Sequence, residues 1–179
     1  YDIFWKLPVI DYDTVCDGIV KKQVKISCIN TEELEIINNL LKNEKIYSSF
    51  IINSINNPEG RVKFKHIQKI SVGISKKDLI TNKIKQKSAF YNCFVMILRV
   101  LYEELYHEIH VKIFNTGKIE IPGIKCNKMF DYVINKIVSI LLPYYSNCNI
   151  WDTSNKIDTI LINSNFYCNF NIKRQELYN

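Results

Sequence analysis

The chain has 179 residues, 47% of them hydrophobic, with 24 Lys and Arg against 18 Asp and Glu, a net charge of +6. That length suits one domain or one domain with part of a second, and the hydrophobic fraction excludes a disordered chain. The charge excess suits a nucleic-acid partner without requiring one.

Six cysteines (Cys16, Cys28, Cys93, Cys126, Cys148, Cys168) form no C-x-x-C pair, and the three histidines complete no zinc-ligand spacing. No metal and no cofactor are therefore expected, and the thiols are read as small core residues of a reducing compartment. No apolar run is long enough to span a bilayer and no leader pattern opens the chain, so the expectation is an intracellular protein with no membrane partner.

In chain order, Ile3-Phe4-Trp5 and Leu7-Pro8-Val9-Ile10 are two short apolar clusters, read as an arm or peripheral strand. QVKISCIN (23–30) alternates like a strand. Asn30 then stands at a helix cap with Glu33 three residues on, and Leu34, Ile37, Leu40 and Leu41 form one apolar stripe. IYSSFIINSI and HIQKISVGI read as strands joined through the turn Asn57-Pro58-Glu59-Gly60. SKKDLITNKIKQKS follows, a basic segment with Lys76, Lys77, Lys83, Lys85 and Lys87; it is a solvated loop or a phosphate contact. AFYNCFVMILRV (89–100) is apolar and β-branched, a strand, and IHVKIF and KIEIPG form a hairpin about Asn-Thr-Gly-Lys. From 127 to 142 the period changes: Met129, Phe130, Val133, Ile134, Ile137, Val138 and Leu141 recur at helical spacing before Pro143. DTILINSNFYCNFNI again reads as a strand. Strands followed by helices in this order predict an α+β domain with a helix-covered antiparallel sheet.

Alternation along a strand fixes the faces of the hairpin. Ile109, Val111, Ile113, Ile119 and Ile121 share the side that the 127–142 helix needs for burial. His110, Lys112, Phe114, Lys118 and Glu120 take the other side. An aromatic among cations there is either an ordinary solvated face or a nucleic-acid surface.

IFNTGKIEIPGIK followed by an amphipathic helix resembles the end of each repeat of the TATA-binding protein. With SAFYNCFVMILRV and EIHVKIF before it, the stretch resembles the TATA-binding-protein-like factors of large nucleocytoplasmic DNA viruses. DTILINSNFYCNFNIKRQEL is similar to the opening strand of a second repeat. The resemblance implies a saddle: a curved antiparallel sheet with helices on the convex face. It divides the chain into an N-terminal arm (1–22), a first repeat (23–145) with a basic insertion at about 75–88, a linker (146–156) and the start of a second repeat (157–179). Part of the saddle is expected to lie beyond this sequence.

The function implied is that of a transcription initiation factor which enters the minor groove of AT-rich promoter double-stranded DNA and bends it. The TATA-binding protein is a known example of minor-groove wedging. Carried over position by position, Phe114 matches a wedge phenylalanine, Arg99 and Lys118 match residues near phosphate, and Asn163 matches the second-repeat asparagine at the groove centre. Lys112 and His110 share the face of Phe114. The second wedge position falls on Cys93, so Phe94 or Phe90 would serve only through a bulge. Glu120, Pro122 and Val24 stand where the family has an apolar residue, threonine and asparagine.

The implied partners are a TFIIB-like factor and a viral-type RNA polymerase. The implied setting is the host nucleus or a cytoplasmic viral factory, or packaging in the virion. The alternative is a scaffold of the same fold that contacts mainly transcription proteins. An enzyme is not expected: Cys93 with His110 or His107 is the one nucleophile–base candidate, and no family motif surrounds it.

Overall fold

Among the described residues the chain forms six strands and four α-helices. The computed structural model describes residues 2–81, 92–144, 157–162, 167, 169–171, 173, 175 and 176. The chain divides into two units, 1–148 and 149–179.

In the first unit the order is α1 (Asp2–Lys6), β1 (Gly18–Cys28), α2 (Thr31–Leu41), β2 (Ile46–Asn56), β3 (Phe64–Gly73), α3 (Lys76–Ile80), β4 (Cys93–Tyr102), β5 (Leu105–Phe114), β6 (Ile119–Glu120) and α4 (Asn127–Leu141). A short 3-10 turn, Leu142–Tyr144, closes α4 at Pro143. The strands make one antiparallel sheet in the order β2-β3-β1-β4-β5-β6, curved and unclosed. The α+β class and the antiparallel sheet are those read from the pattern.

The apolar face is built by alternate residues. Val24, Ile26 and Cys28 of β1 and Ile70 and Val72 of β3 form a buried cluster with Phe4, against which Leu34, Ile37 and Leu41 of α2 pack. The β1–β4 register sets Val24 opposite Phe94 and Lys22 opposite Met96, so Met96, Leu98 and Val100 continue this face, all fully buried. Ile109 and Val111 of β5 are buried beside them, opposite Leu98 and Met96. Helix α4 contributes Met129, Val133, Ile134, Ile137 and Leu141 to the core. Its Tyr132 ring lies 6.0 Å from that of Tyr102, on the same face. Ile113, Ile119 and Ile121 are half-buried, and none of the five hairpin isoleucine and valine positions stands in open solvent.

Local signals act as expected at several ends. The Asn30 side chain accepts from Glu33 N at 2.8 Å, and the Glu33 carboxylate accepts from Ile29 N at 2.9 Å, a reciprocal cap on α2. Gly117, with φ +86°, donates to Phe114 O at 3.0 Å in the turn of the hairpin, where a side chain would be strained. At Gly73 (φ +77°) an added Cβ would meet the Val20 carbonyl oxygen at 2.2 Å, so this strand end admits glycine alone.

Three expectations are corrected here. Residues 1–22 are not a peripheral arm: Phe4 and Leu7 are buried, and β1 already begins at Gly18. The buried Lys22 ammonium, placed by strand alternation on the apolar face, donates to Phe4 O (3.0 Å), Leu7 O (2.9 Å) and the Glu44 carboxylate (2.8 Å), tying α1 down. Second, the helices do not all lie on one face. Lys21 faces away from the core, and α3 reaches that opposite side through Asp78 on Lys21 at 2.7 Å and through Lys76 N on Glu108 at 2.9 Å. Third, residues 157–162 of the second unit carry no strand, and Ile157, Ile160, Leu161 and Ile162 are exposed. The linker (146–156), residues 82–88 of the basic insertion, and Phe90 lie outside the described residues.

Candidate nucleic-acid interface

On the sheet face opposite the main core, alternation brings polar and cationic residues into columns. β1 offers Lys21, Gln23 and Lys25, with β3 placing Gly73, Ser71 and Lys69 opposite them. β4 offers Cys93, Val95, Ile97 and Arg99, and β5 places Phe114, Lys112, His110 and Glu108 opposite. The β6 strand adds Glu120 opposite Lys112. His110, Lys112, Phe114 and Lys118 therefore belong to one side of the sheet, as the alternation predicts, and Arg99 shares it. Lys21, Gln23, Lys25 and Lys69 belong to it too. The sequence reading passed over them, although the alternate positions of KKQVKIS and KHIQKIS carry the signal.

The cations on this face have partners within the chain. Glu120 lies between Lys112 (3.4 Å) and Lys118 (3.2 Å). The Lys118 hydrogen bond, the leading effect, holds the Glu120 carboxyl below its ordinary value; burial opposes it and Lys112 adds to it. The Lys118 ammonium also lies 6.0 Å from the Phe114 ring centre, at the limit of a cation–π contact. Phe114 is half-buried, less open than a wedge aromatic is expected to be in the free protein. Gln23 Nε2 donates to Ser71 Oγ at 2.9 Å. Lys25, Lys69, Lys112 and Phe114 each have further partners. Among the described residues, no buried side-chain nitrogen or oxygen lacks a hydrogen bond.

Arg99 is committed elsewhere. Its guanidinium donates to the carbonyls of Tyr12 (2.7 Å) and Thr14 (3.0 Å), stacks over the Tyr12 ring at 4.4 Å, and lies 3.7 Å from the Glu108 carboxylate. It is buried and anchors residues 11–17, so the expectation that it contacts phosphate is corrected. Phe94 is corrected as well. The β4–β5 register runs from Cys93↔Phe114 to Tyr102↔Leu105 without a shift, so no bulge turns Phe94 over. It faces the core and meets Phe4 edge-on at 5.9 Å. Asn163 lies outside the described residues.

His110 is exposed by area while its ring is crowded. Burial, the leading effect, and the Lys77 ammonium push the imidazole below its ordinary value, with Glu108 opposing. Burial, partly offset by Lys112, pushes the Cys93 thiol up, so it is a poor nucleophile at neutral pH. Cys28 is also buried and its thiol is raised, by burial first and Glu33 second. Cys126 is exposed and Cys16 half-buried; Cys148 and Cys168 lie outside the described residues. Among the described residues no cluster of His, Cys, Asp and Glu has the spacing of a metal site, and no helix is long and apolar enough to cross a membrane.

What this face can do chemically is limited and specific. Lys21, Lys25, Ser71, Cys93, Ile97 and Arg99 on it are buried, so what it offers lies at the hairpin end: a half-buried aromatic and a pair of lysines sharing one carboxylate. Comparison with known proteins adds no assignment: no family model, curated protein or solved structure matches the chain.

Proposed function

We propose that this protein is a TATA-binding-protein-like transcription initiation factor that touches AT-rich duplex DNA through the β5–β6 hairpin and bends it. The observation that carries the reading is the hairpin itself. Phe114 stands on the sheet face away from α4, flanked on that face by Lys112 and beside Lys118, and the chain passes from the hairpin into the 15-residue helix α4. That is the order of parts the resemblance requires.

The DNA surface is then narrower than the sequence reading drew it: Phe114, Lys112, Lys118 and His110, without Arg99 and Phe94. The minor groove distinguishes chiefly A·T from G·C and accepts apolar surface, so one aromatic and two cations form a coherent minimal contact. A TFIIB-like factor and RNA polymerase are the partners of such a factor.

One observation favours the alternative, a scaffold of the same fold that binds mainly transcription proteins. Glu120 sits between Lys112 and Lys118, and Asp78 occupies Lys21, so carboxylates of the chain already neutralise much of this face. DNA would have to displace them.

A salt titration separates the two. For the full chain on AT-rich and GC-rich duplexes, the DNA reading expects tighter AT-rich binding and a log–log salt slope of about −2, one phosphate for each hairpin lysine. Equal binding to both duplexes, or none, supports the scaffold.

A further inference from the structure

The two edges of the sheet are built differently. β6 has two residues, Ile119–Glu120, is flanked by Lys118 and followed by Pro122. Shortness, charge and proline are the means by which sheet edges resist pairing with another chain. β2 differs. It runs for eleven residues, IYSSFIINSIN, without one Asp, Glu, Lys, Arg or Pro, and its protection is limited to two bulges.

Its inner side is taken by β3, so its outer row of N–H and C=O groups faces outward. Ile51 and Ile52 are 62% and 46% exposed, and Asn53 and Ser54 beside them are exposed as well. Two register shifts against β3, at Ile46/Ser48 and Ile51/Asn53, leave Tyr47 and Ile52 out of the pairing and bend the strand, which stays paired on either side of them.

The occupant is indicated by the order of residues. Folded back on itself about Ile51, β2 sets Phe50 against Ile52, Tyr47 against Ile55, Ser48 against Ser54 and Ser49 against Asn53. Ile46 meets Asn56 at each end; between them apolar meets apolar and polar meets polar, and no charge is brought opposite its own copy. A two-fold contact demands such self-complementarity, because every residue that makes the contact meets the same surface in return. Lysine on this edge would make the pairing repulsive, and this otherwise lysine-rich chain has none there.

We propose that β2 is a dimerisation edge, at which a second copy of this chain adds its own β2 antiparallel across a two-fold near Ile51 and Ile52. The sheets of the two copies then run on as one. The proposal does not rest on the DNA reading, since β2 lies at the opposite edge from the β5–β6 hairpin.

Sedimentation equilibrium of the full chain, from low micromolar to several hundred micromolar, tests it together with amide hydrogen exchange. The expected result is a shift from the 21.1 kDa chain towards twice that mass, with exchange over 46–56 slowing as the dimer forms. Ile51→Lys and Asn53→Lys, both at exposed positions, should each weaken dimerisation by about tenfold or more while far-UV circular dichroism stays unchanged. Ile36→Lys, on the exposed side of α2, should leave it intact. A monomer at every concentration overturns the proposal. So does a dimer that survives both lysine substitutions, or one whose β2 amides exchange at the monomer rate; association only with a foreign strand does the same.

Discussion

Two regions of this protein gather cations around aromatic rings, and they use them in opposite ways. Around the N-terminal segment, Lys22 and Arg99 are buried, and each donates to two backbone carbonyls of residues 4–14 and lies over an aromatic ring there. At the β5–β6 hairpin, Lys112 and Lys118 are partly in water, share the single carboxylate of Glu120, and flank a half-buried Phe114. A buried cation is held by groups that have no other partner, so removing it strands them and costs stability. A cation in water can exchange its partner for a phosphate at little cost. The first region is therefore structural and the second is the one we propose for binding, although both look alike in the sequence.

Substitutions can break or sharpen this contrast. The largest effect is expected at Phe4, fully buried between Trp5 and Phe94. Phe4→Ala should destabilise the protein by about 3–5 kcal/mol in urea unfolding. A peripheral arm would give a change near zero. Lys22→Met comes next. It keeps the aliphatic stem but leaves the carbonyls of Phe4 and Leu7 and the Glu44 carboxylate unpaired, at a cost of about 2–4 kcal/mol. Arg99→Ala should cost about 2 kcal/mol, through the freed carbonyls of Tyr12 and Thr14. It should leave the salt slope of DNA binding unchanged, whereas a phosphate-contacting arginine would lower that slope by about one.

A smaller effect appears in acid. Burial raises the Asp78 carboxyl, but the Lys21 ammonium and the Ser75 hydroxyl and amide outweigh it and hold the group below 3.8. Asp17 is likewise raised by burial and lowered further by Lys136, Leu101 N and Tyr132. Carboxyls lowered by folding contribute stability above their unfolded value and lose it as pH falls through the folded one. Stability should therefore decline below about pH 4, and Asp78→Asn should flatten that decline in acid-titration unfolding curves.

Much of the fold was legible because its cause is local. Alternation placed part of β1 and the β5–β6 hairpin, an apolar β-branched run placed β4, helical spacing placed α4, and Asn30 with Glu33 marked the start of α2. The side of the sheet taken by Phe114, Lys112 and His110 also followed from alternation. What escaped was set by contacts distant in sequence. Arg99 was assigned to the correct face, but its partners Tyr12 and Thr14 lie 87 and 85 residues away, and no pattern within β4 reports them. Phe94 was made conditional on a bulge, and only the unbroken pairing with β5 decides against it. Residues 1–10 looked peripheral because an α-helix of five residues has no period to read. Lys22 on the apolar side of β1 was the visible sign that something had to bind it there.

The central claim, that the hairpin is a minor-groove wedge, is tested most directly by bending. Energy transfer between dyes on the two ends of an AT-rich duplex reports the bend when the full chain binds. The account predicts a bend with the parent protein and its loss with Phe114→Ala, whose urea midpoint should change little because Phe114 is only half-buried. A normally folded Phe114→Ala protein that bends the duplex as far as the parent would contradict it.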